Sequence, residues 1–174
     1  QGYAIRGLTI NASISSGEGN YGLFSTLGNQ AVVKNLKIIG ANVSAASSAN
    51  ANADKIRTGV IAGGTEKVTT SGHANIGTRI DSCAATGTVS VVSANDKMTY
   101  AGGIAGTGDI GTAITNCWTD VSVNATIDPK GTKNSMAGGI IGNSGNYAVI
   151  ANCTTFGDVY AVSTAATNYG GMAG

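Results

Sequence analysis

One proline, one tryptophan, two phenylalanines and one histidine in 174 residues leave this chain short of the side chains that build large aromatic cores and most active sites. Charged residues make up 11%, against roughly 25% in an average soluble domain. Ten Lys and Arg face nine Asp and Glu, for a formal net charge of +1. They are scattered singly, so no basic run steers nucleic acid. No apolar stretch approaches the roughly 18 residues of a membrane helix, and no basic start with an apolar segment marks a signal peptide. Any export address would lie outside this segment. The single proline, Pro129, marks no Pro-rich linker, so the chain reads as one unit over residues 1–174.

What is abundant is small: Ala, Gly, Ser, Thr, Asn and Val. Such side chains suit closely stacked backbones, and the Thr, Val and Ile content favours strands. Two signatures alternate along the chain. The first is a small-residue cluster around an aliphatic: TGVIAG from Thr58, AGGIAG from Ala101, AGGIIG from Ala137 and YGGMAG from Tyr169, with a looser YGLFST from Tyr21. Its phase glycines, Gly22, Gly59, Gly102, Gly138 and Gly170, lie 37, 43, 36 and 32 residues apart. The second follows each of the first four: VKNLKIIG from Val33, IDSCAATG from Ile80, ITNCWTD from Ile114 and IANCTTFG from Ile150. IRGLTI from Ile5 reads as the tail of a further copy. In these segments an aliphatic precedes Cys or Leu by three positions, and a Val-bearing stretch follows.

No 3.6-residue apolar stripe occurs, and each unit is too thin to bury its own apolar face. The copies must therefore stack and share one interior, which predicts an all-β parallel β-helix, right-handed, of about four to five rungs. In register, equivalent residues stack about 4.8 Å apart. Val33, Ile80, Ile114 and Ile150 then form one interior column, and Leu36, Cys83, Cys117 and Cys153 a second. Asn35, Ser82, Asn116 and Asn152 form a polar ladder at the corner between them, where Asn tolerates a left-handed backbone. The stretch SAASSANANAD from Ser44 to Asp54, and the insertion EKVTTSGHAN before Ile80, read as excursions between repeats.

The GGIAG cluster followed about ten residues later by I-x-N-C and a short V-x-V strand resembles the GLUG motif of bacterial cell-surface proteins. The resemblance is closest over Ala101–Val123 and Ala137–Val162, holds over Thr58–Val91 with an insertion, and is loose over Tyr21–Val43. It implies a non-catalytic repeat region of a large exported bacterial protein, such as a filamentous-haemagglutinin-like adhesin or an immunoglobulin A-specific metallopeptidase. It implies an extracellular or cell-surface location and brings no catalytic residues with it. This chain departs from the pattern where Leu36 stands in place of Cys, where Val60 and Leu23 stand in place of the second Gly, and where CWTDVSV reads two residues shorter than CAATGTVSV.

Three cysteines invite a disulfide or a metal site, but their spacings of 34 and 36 residues are the repeat itself. Stacked Cβ atoms near 4.8 Å exceed the roughly 3.5–4.5 Å of a disulfide, so the column reads as free thiols acting as small apolar residues. With no C-x-x-C and one histidine, His73 in a loop, neither a metal nor a cofactor is expected. No nucleophile elbow, zinc-protease motif or phosphate loop occurs. Parallel β-helices that cleave polysaccharides need clustered carboxylates. Here Asp81 has Lys34, Thr115 and Ala151 as column neighbours, and only Asp120 and Asp158, just before Val121 and Val159, could approach each other.

Trp118 occupies the position of Ala84 and Thr154 in neighbouring copies and of Lys37 in the first, which points outward. An exposed ring can stack on a sugar or anchor a partner. The chain therefore reads as a non-catalytic scaffold or adhesin module, with a host glycan or protein as its partner and Trp118 as its contact. A carbohydrate-active β-helix domain and an accessory region of a secreted immunoglobulin A-type protease are the alternatives.

Overall fold

In the computed structural model, residues 4–28, 30–66, 77–94, 96–127, 133–163 and 167–173 are described. The chain runs through β1 (Ala4–Arg6) and β2 (Thr9–Tyr21), turns into β3 (Phe24–Leu27) and β4 (Val32–Lys34), and returns along β5 (Lys37–Gly59). The circuit repeats as β6 (Ala62–Thr65), β7 (Arg79–Asp81), β8 (Ala84–Ser93) and β9 (Met98–Gly102), then as β10 (Ala105–Gly108), β11 (Ala113–Thr115), β12 (Trp118–Ile127) and β13 (Ser135–Gly138). The last passage is β14 (Ile141–Ser144), β15 (Val149–Ala151), β16 (Thr154–Thr155), β17 (Val159–Val162) and β18 (Thr167–Gly170). One ten-stranded and two four-stranded sheets result, with parallel pairing throughout. The molecule is a parallel β-solenoid of about four turns, without helix among the described residues.

Register follows the aliphatic and cysteine phases. Val33, Ile80, Ile114 and Ile150 stand in one row across β4, β7, β11 and β15, and Ile80 and Ile114 are fully buried. Each buried Ile removes enough apolar surface from water to contribute roughly 1.5–3 kcal/mol. Ile61, Ile104 and Ile140 lie buried at the corner between the ten-stranded sheet and the sheet of β3, β6, β10 and β14. Where a polar side chain enters the interior it finds a partner. Thr99 Oγ1 donates to Ser135 Oγ at 3.0 Å, Ser135 Oγ to the Ala125 carbonyl at 2.8 Å, and Thr119 Oγ1 to the Gly139 carbonyl at 2.7 Å. No buried side-chain polar atom among the described residues lacks a partner, which keeps these small hydroxyls compatible with a dry core.

Gly22, Gly59, Gly102, Gly138 and Gly170 keep the phase read from the sequence, since Gly59, Gly102, Gly138 and Gly170 pair in turn and Tyr21 pairs with Thr58. At Gly102 the reason is contact: a Cβ there would lie 2.0 Å from the Ala105 carbonyl oxygen and 2.7 Å from the Gly142 nitrogen. Backbone fills the space that a side chain would need.

Two local expectations are corrected and a third holds. Ser44–Asp54 is no excursion: the backbone runs through it as part of β5, with Ser44–Ser47 paired to Asn11–Ile14 on one side and to Ser90–Ser93 on the other. Alternating small residues satisfy a strand as well as a loop, and the extra residues are absorbed where Ile14 pairs with Ser47 but Ser16 with Asn52. IRGLTI is, as expected, the tail of a further copy, stacked on the strand that follows the Leu36 corner. Ile5 pairs with Ile38, and Gly7 and Gly40 both adopt φ 65°, so the two segments share a bulge that only the early turns carry. CWTDVSV is not shortened. Trp118 pairs with Ala84 and Val123 with Val89 without a break, so Val121 faces Gly87. His73 and residues 67–76 of the insertion lie outside the described residues.

Candidate binding face

The corner before the ten-stranded sheet is built as the sequence implies. Asn35, Ser82, Asn116 and Asn152 all take left-handed backbone, with φ of 57°, 54°, 53° and 52°. Asn152 Nδ2 donates to Asn116 Oδ1 at 3.2 Å, and Asn116 Nδ2 donates to Asp81 Oδ1 at 2.7 Å. Asp81, which the repeat pattern alone does not single out, anchors this ladder. Its carboxylate also accepts from Thr115 Oγ1 at 2.7 Å and Ser82 Oγ at 3.1 Å. These bonds, Thr115 first, then Asn116 and Ser82, hold the Asp81 carboxyl below its ordinary pKa.

Immediately after the ladder come Leu36, Cys83, Cys117 and Cys153. The three cysteines are free thiols, Cys83 and Cys117 buried and Cys153 half-buried. Each thiol donates to a carbonyl two residues back: Asp81 at 3.2 Å, Thr115 at 3.1 Å and Ala151 at 3.3 Å. The Cys83 amide donates to Cys117 Sγ at 3.4 Å. The hydrogen bond with the Cys83 side chain, and then burial, push the Cys117 thiol above its usual pKa, which keeps it protonated and unreactive. In native protein a maleimide should therefore label Cys153 first and Cys83 and Cys117 only after unfolding; denatured protein should titrate three thiols. A mass shift of two hydrogens in non-reduced protein, marking a disulfide, would contradict this arrangement.

From Trp118 onward the chain alternates strictly: Thr119, Val121, Val123 and Ala125 are buried, whereas Trp118, Asp120, Ser122 and Asn124 are exposed. The next turn repeats the alternation. Trp118 pairs with Thr154, Thr119 with Thr155 and Val123 with Val159, so the intervening positions put Asp120 beside Phe156 and Ser122 beside Asp158, while Asn124 pairs with Tyr160. Asp120 and Asp158 thus do not share a row, contrary to the expected approach. The reason is the uninterrupted count from the Cys corner, which offsets them by two residues along the strands. Neither side chain makes a hydrogen bond or ion pair among the described residues.

Trp118 sits where the sequence places it, between Ala84 and Thr154, with 38% of its surface exposed. Lys37 reaches across the intervening turn, its Nζ 5.8 Å from the ring centroid, and Ala84 beneath is only 7% exposed. A cation over the ring steadies it without removing it from solvent. Phe156 and Tyr160 are exposed further, at 71% and 60%. The sequence reading passed over both, although the i, i+2 spacing of Thr154, Phe156, Asp158 and Tyr160 was a sufficient signal of one outward face. Three aromatic rings interleaved with Asp120, Asp158 and Asn124 make a surface on which apolar faces can stack while oxygens accept hydrogen bonds from hydroxyls. Among the described residues no group of three His, Cys, Asp or Glu could hold a metal ion.

No family model and no curated protein matches the chain. Among solved structures, the fold is similar to that of a protein from Bacteroides ovatus provisionally described as an immunoglobulin A1 protease. The TM-score is 0.61 at 23% identity, over 92% of this chain and 42% of that one. The likeness is one of fold, and this chain spans less than half the length of that protein.

Proposed function

We propose that the chain is a non-catalytic binding module of a large secreted or cell-surface bacterial protein, and that it contacts a host glycan or protein through the outer face of β12, β16 and β17. The observation that carries this reading is the exposure of Trp118, Phe156 and Tyr160 on one sheet face with carboxylates between them. Stacked aromatic rings supply contact area at low entropic cost, and such residues dominate binding energy at interfaces. Asp120 and Asp158 lie exposed and offset, so no burial separates an acid from a base, as glycoside hydrolysis requires. An accessory region of an immunoglobulin A-type protease is the second reading, favoured by the similar fold of the Bacteroides ovatus protein.

The test is a glycan and host-protein array followed by titration of the best ligand. Trp118→Ala should weaken binding about tenfold, the loss of one good aromatic contact, and leave the melting temperature nearly unchanged. The ligand should emerge uncleaved. Turnover of a bound polysaccharide that Asp120→Asn or Asp158→Asn abolishes would replace this reading with the carbohydrate-active one.

A further inference from the structure

A second polar site lies away from the aromatic face, at the ten-stranded sheet's border with the sheet of β3, β6, β10 and β14. Arg57 of β5 stands in a row between Asn20 and Tyr100. Its Nη1 donates to Glu18 Oε2 at 2.8 Å and to Asn20 Oδ1 at 3.0 Å, which uses both hydrogens on that nitrogen. The Nε and Nη2 hydrogens have no acceptor among the described residues, yet no buried side-chain nitrogen is left without a partner, so this second edge of the guanidinium meets solvent. The side chain is nevertheless only 15% exposed. Its position is fixed, because Glu18 and Asn20 hold one edge while the strand row holds the stem.

Arg57 lines a cleft of about 170 Å³ together with Lys55, Tyr100, Thr107, Asp109 and Asn143. An adjoining hollow of about 260 Å³ shares Lys55 and adds Lys97 and Lys133. Lys97 and Lys133 line that hollow together with Glu18 and Met98, so further cations lie beside the cleft. Among the ion pairs of the described residues, only Lys55 and Arg57 are engaged, both with Glu18.

We propose that this cleft binds an acidic sugar, with the free edge of Arg57 taking its carboxylate or sulfate and Thr107 and Asn143 meeting its hydroxyls. A planar guanidinium fork meets two oxygens of a carboxylate or sulfate with two parallel hydrogen bonds, which a lysine cannot do. Glu18, and Asp109 in the cleft lining, offset part of the local positive charge, while the Nε and Nη2 edge keeps no acceptor among the described residues. Polar walls on both sides suit a ligand rich in hydroxyls rather than an apolar one. The site is chemically separate from the aromatic face, so either can exist without the other.

The experiment titrates the whole chain with sodium glucuronate, glucose 6-sulfate, neutral glucose, a glucuronate-containing tetrasaccharide and a single-stranded oligonucleotide. The acidic sugars should bind at least about tenfold tighter than glucose. A tetrasaccharide that binds tighter still points to a polymer laid over Lys97 and Lys133, and one that binds equally points to a single sugar; both support the site. Arg57→Lys, which keeps the charge and loses the fork, should weaken glucuronate about tenfold, and Trp118→Ala should not change it. Asn143→Ala, on the opposite wall and clear of the Glu18 pair, should weaken it without altering thermal stability. Equal binding of glucose and glucuronate, absence of binding, tighter binding of the oligonucleotide, or full affinity in folded Arg57→Lys would overturn the proposal.

Discussion

Gly102→Ala will destabilise the solenoid by about 3 kcal/mol, seen as a fall of roughly 10 °C in melting temperature followed by circular dichroism. The added methyl would meet the Ala105 oxygen at 2.0 Å, the Gly142 nitrogen at 2.7 Å and Ile141 Cα at 2.8 Å. All three are backbone, so no rotamer change can relieve the overlap, and two neighbouring strands must move apart at a shared corner. Gly171→Ala is the matched control, because a Cβ there meets nothing within 4 Å. If Gly102→Ala melts with the wild type, the corner is looser than the structure has it.

Ile114→Ala will cost about 4 kcal/mol, within the range for emptying a fully buried aliphatic site. Ile114 is fully buried, with Ile80 on one side and Ile150 on the other. Collapse around the cavity is hindered because both neighbours are held by ladder hydrogen bonds. The loss should be local in the manner of stacked repeats: hydrogen exchange should quicken in β7, β11 and β15 before it does in β2. Val149→Ala, on the adjoining strand β15 and 48% exposed, should change stability by less than about 0.5 kcal/mol. A uniform rise in exchange along the whole chain would show that the turns unfold as one unit and would refute the repeat-wise account.

The columns were legible because each repeats a chemically distinctive residue at a fixed offset. Ile80, Ile114 and Ile150, followed by Cys83, Cys117 and Cys153 three places later, admit one register, and the left-handed Asn and Ser between them confirm where the chain bends. What misled was the Val-bearing strand. VSV at Val121–Val123 and VSV at Val89–Val91 look equivalent, but the strands pair Val123 with Val89. A slip of two residues leaves every side chain on its own face, so alternation cannot distinguish the two alignments; only the count from the Cys corner does. That slip also made Asp120 and Asp158 look adjacent. Ser44–Asp54 misled for a related reason: Ser, Ala and Asn carry weak local preference, and it is the neighbouring strands on either side that extend them. Trp118 was readable as outward-facing from its small neighbours. Phe156 and Tyr160 follow from the same two-residue alternation counted on from Thr154, whereas Arg57 declares itself only once Glu18 and Asn20 are seen to occupy a single edge of it.

Because successive turns are joined by parallel ladders, nearly all the backbone hydrogen bonds between turns lie along the solenoid axis. A tensile load applied along that axis would strain these bonds end to end and would peel turns away one after another instead of shearing whole sheets at once. Each released turn of 36 residues, the Thr119 to Thr155 offset, would yield on the order of 120 Å of extended chain at about 3.4 Å per residue. Such a body gives way in long, separate steps, and behaves under traction as a shock absorber more than as a rigid strut.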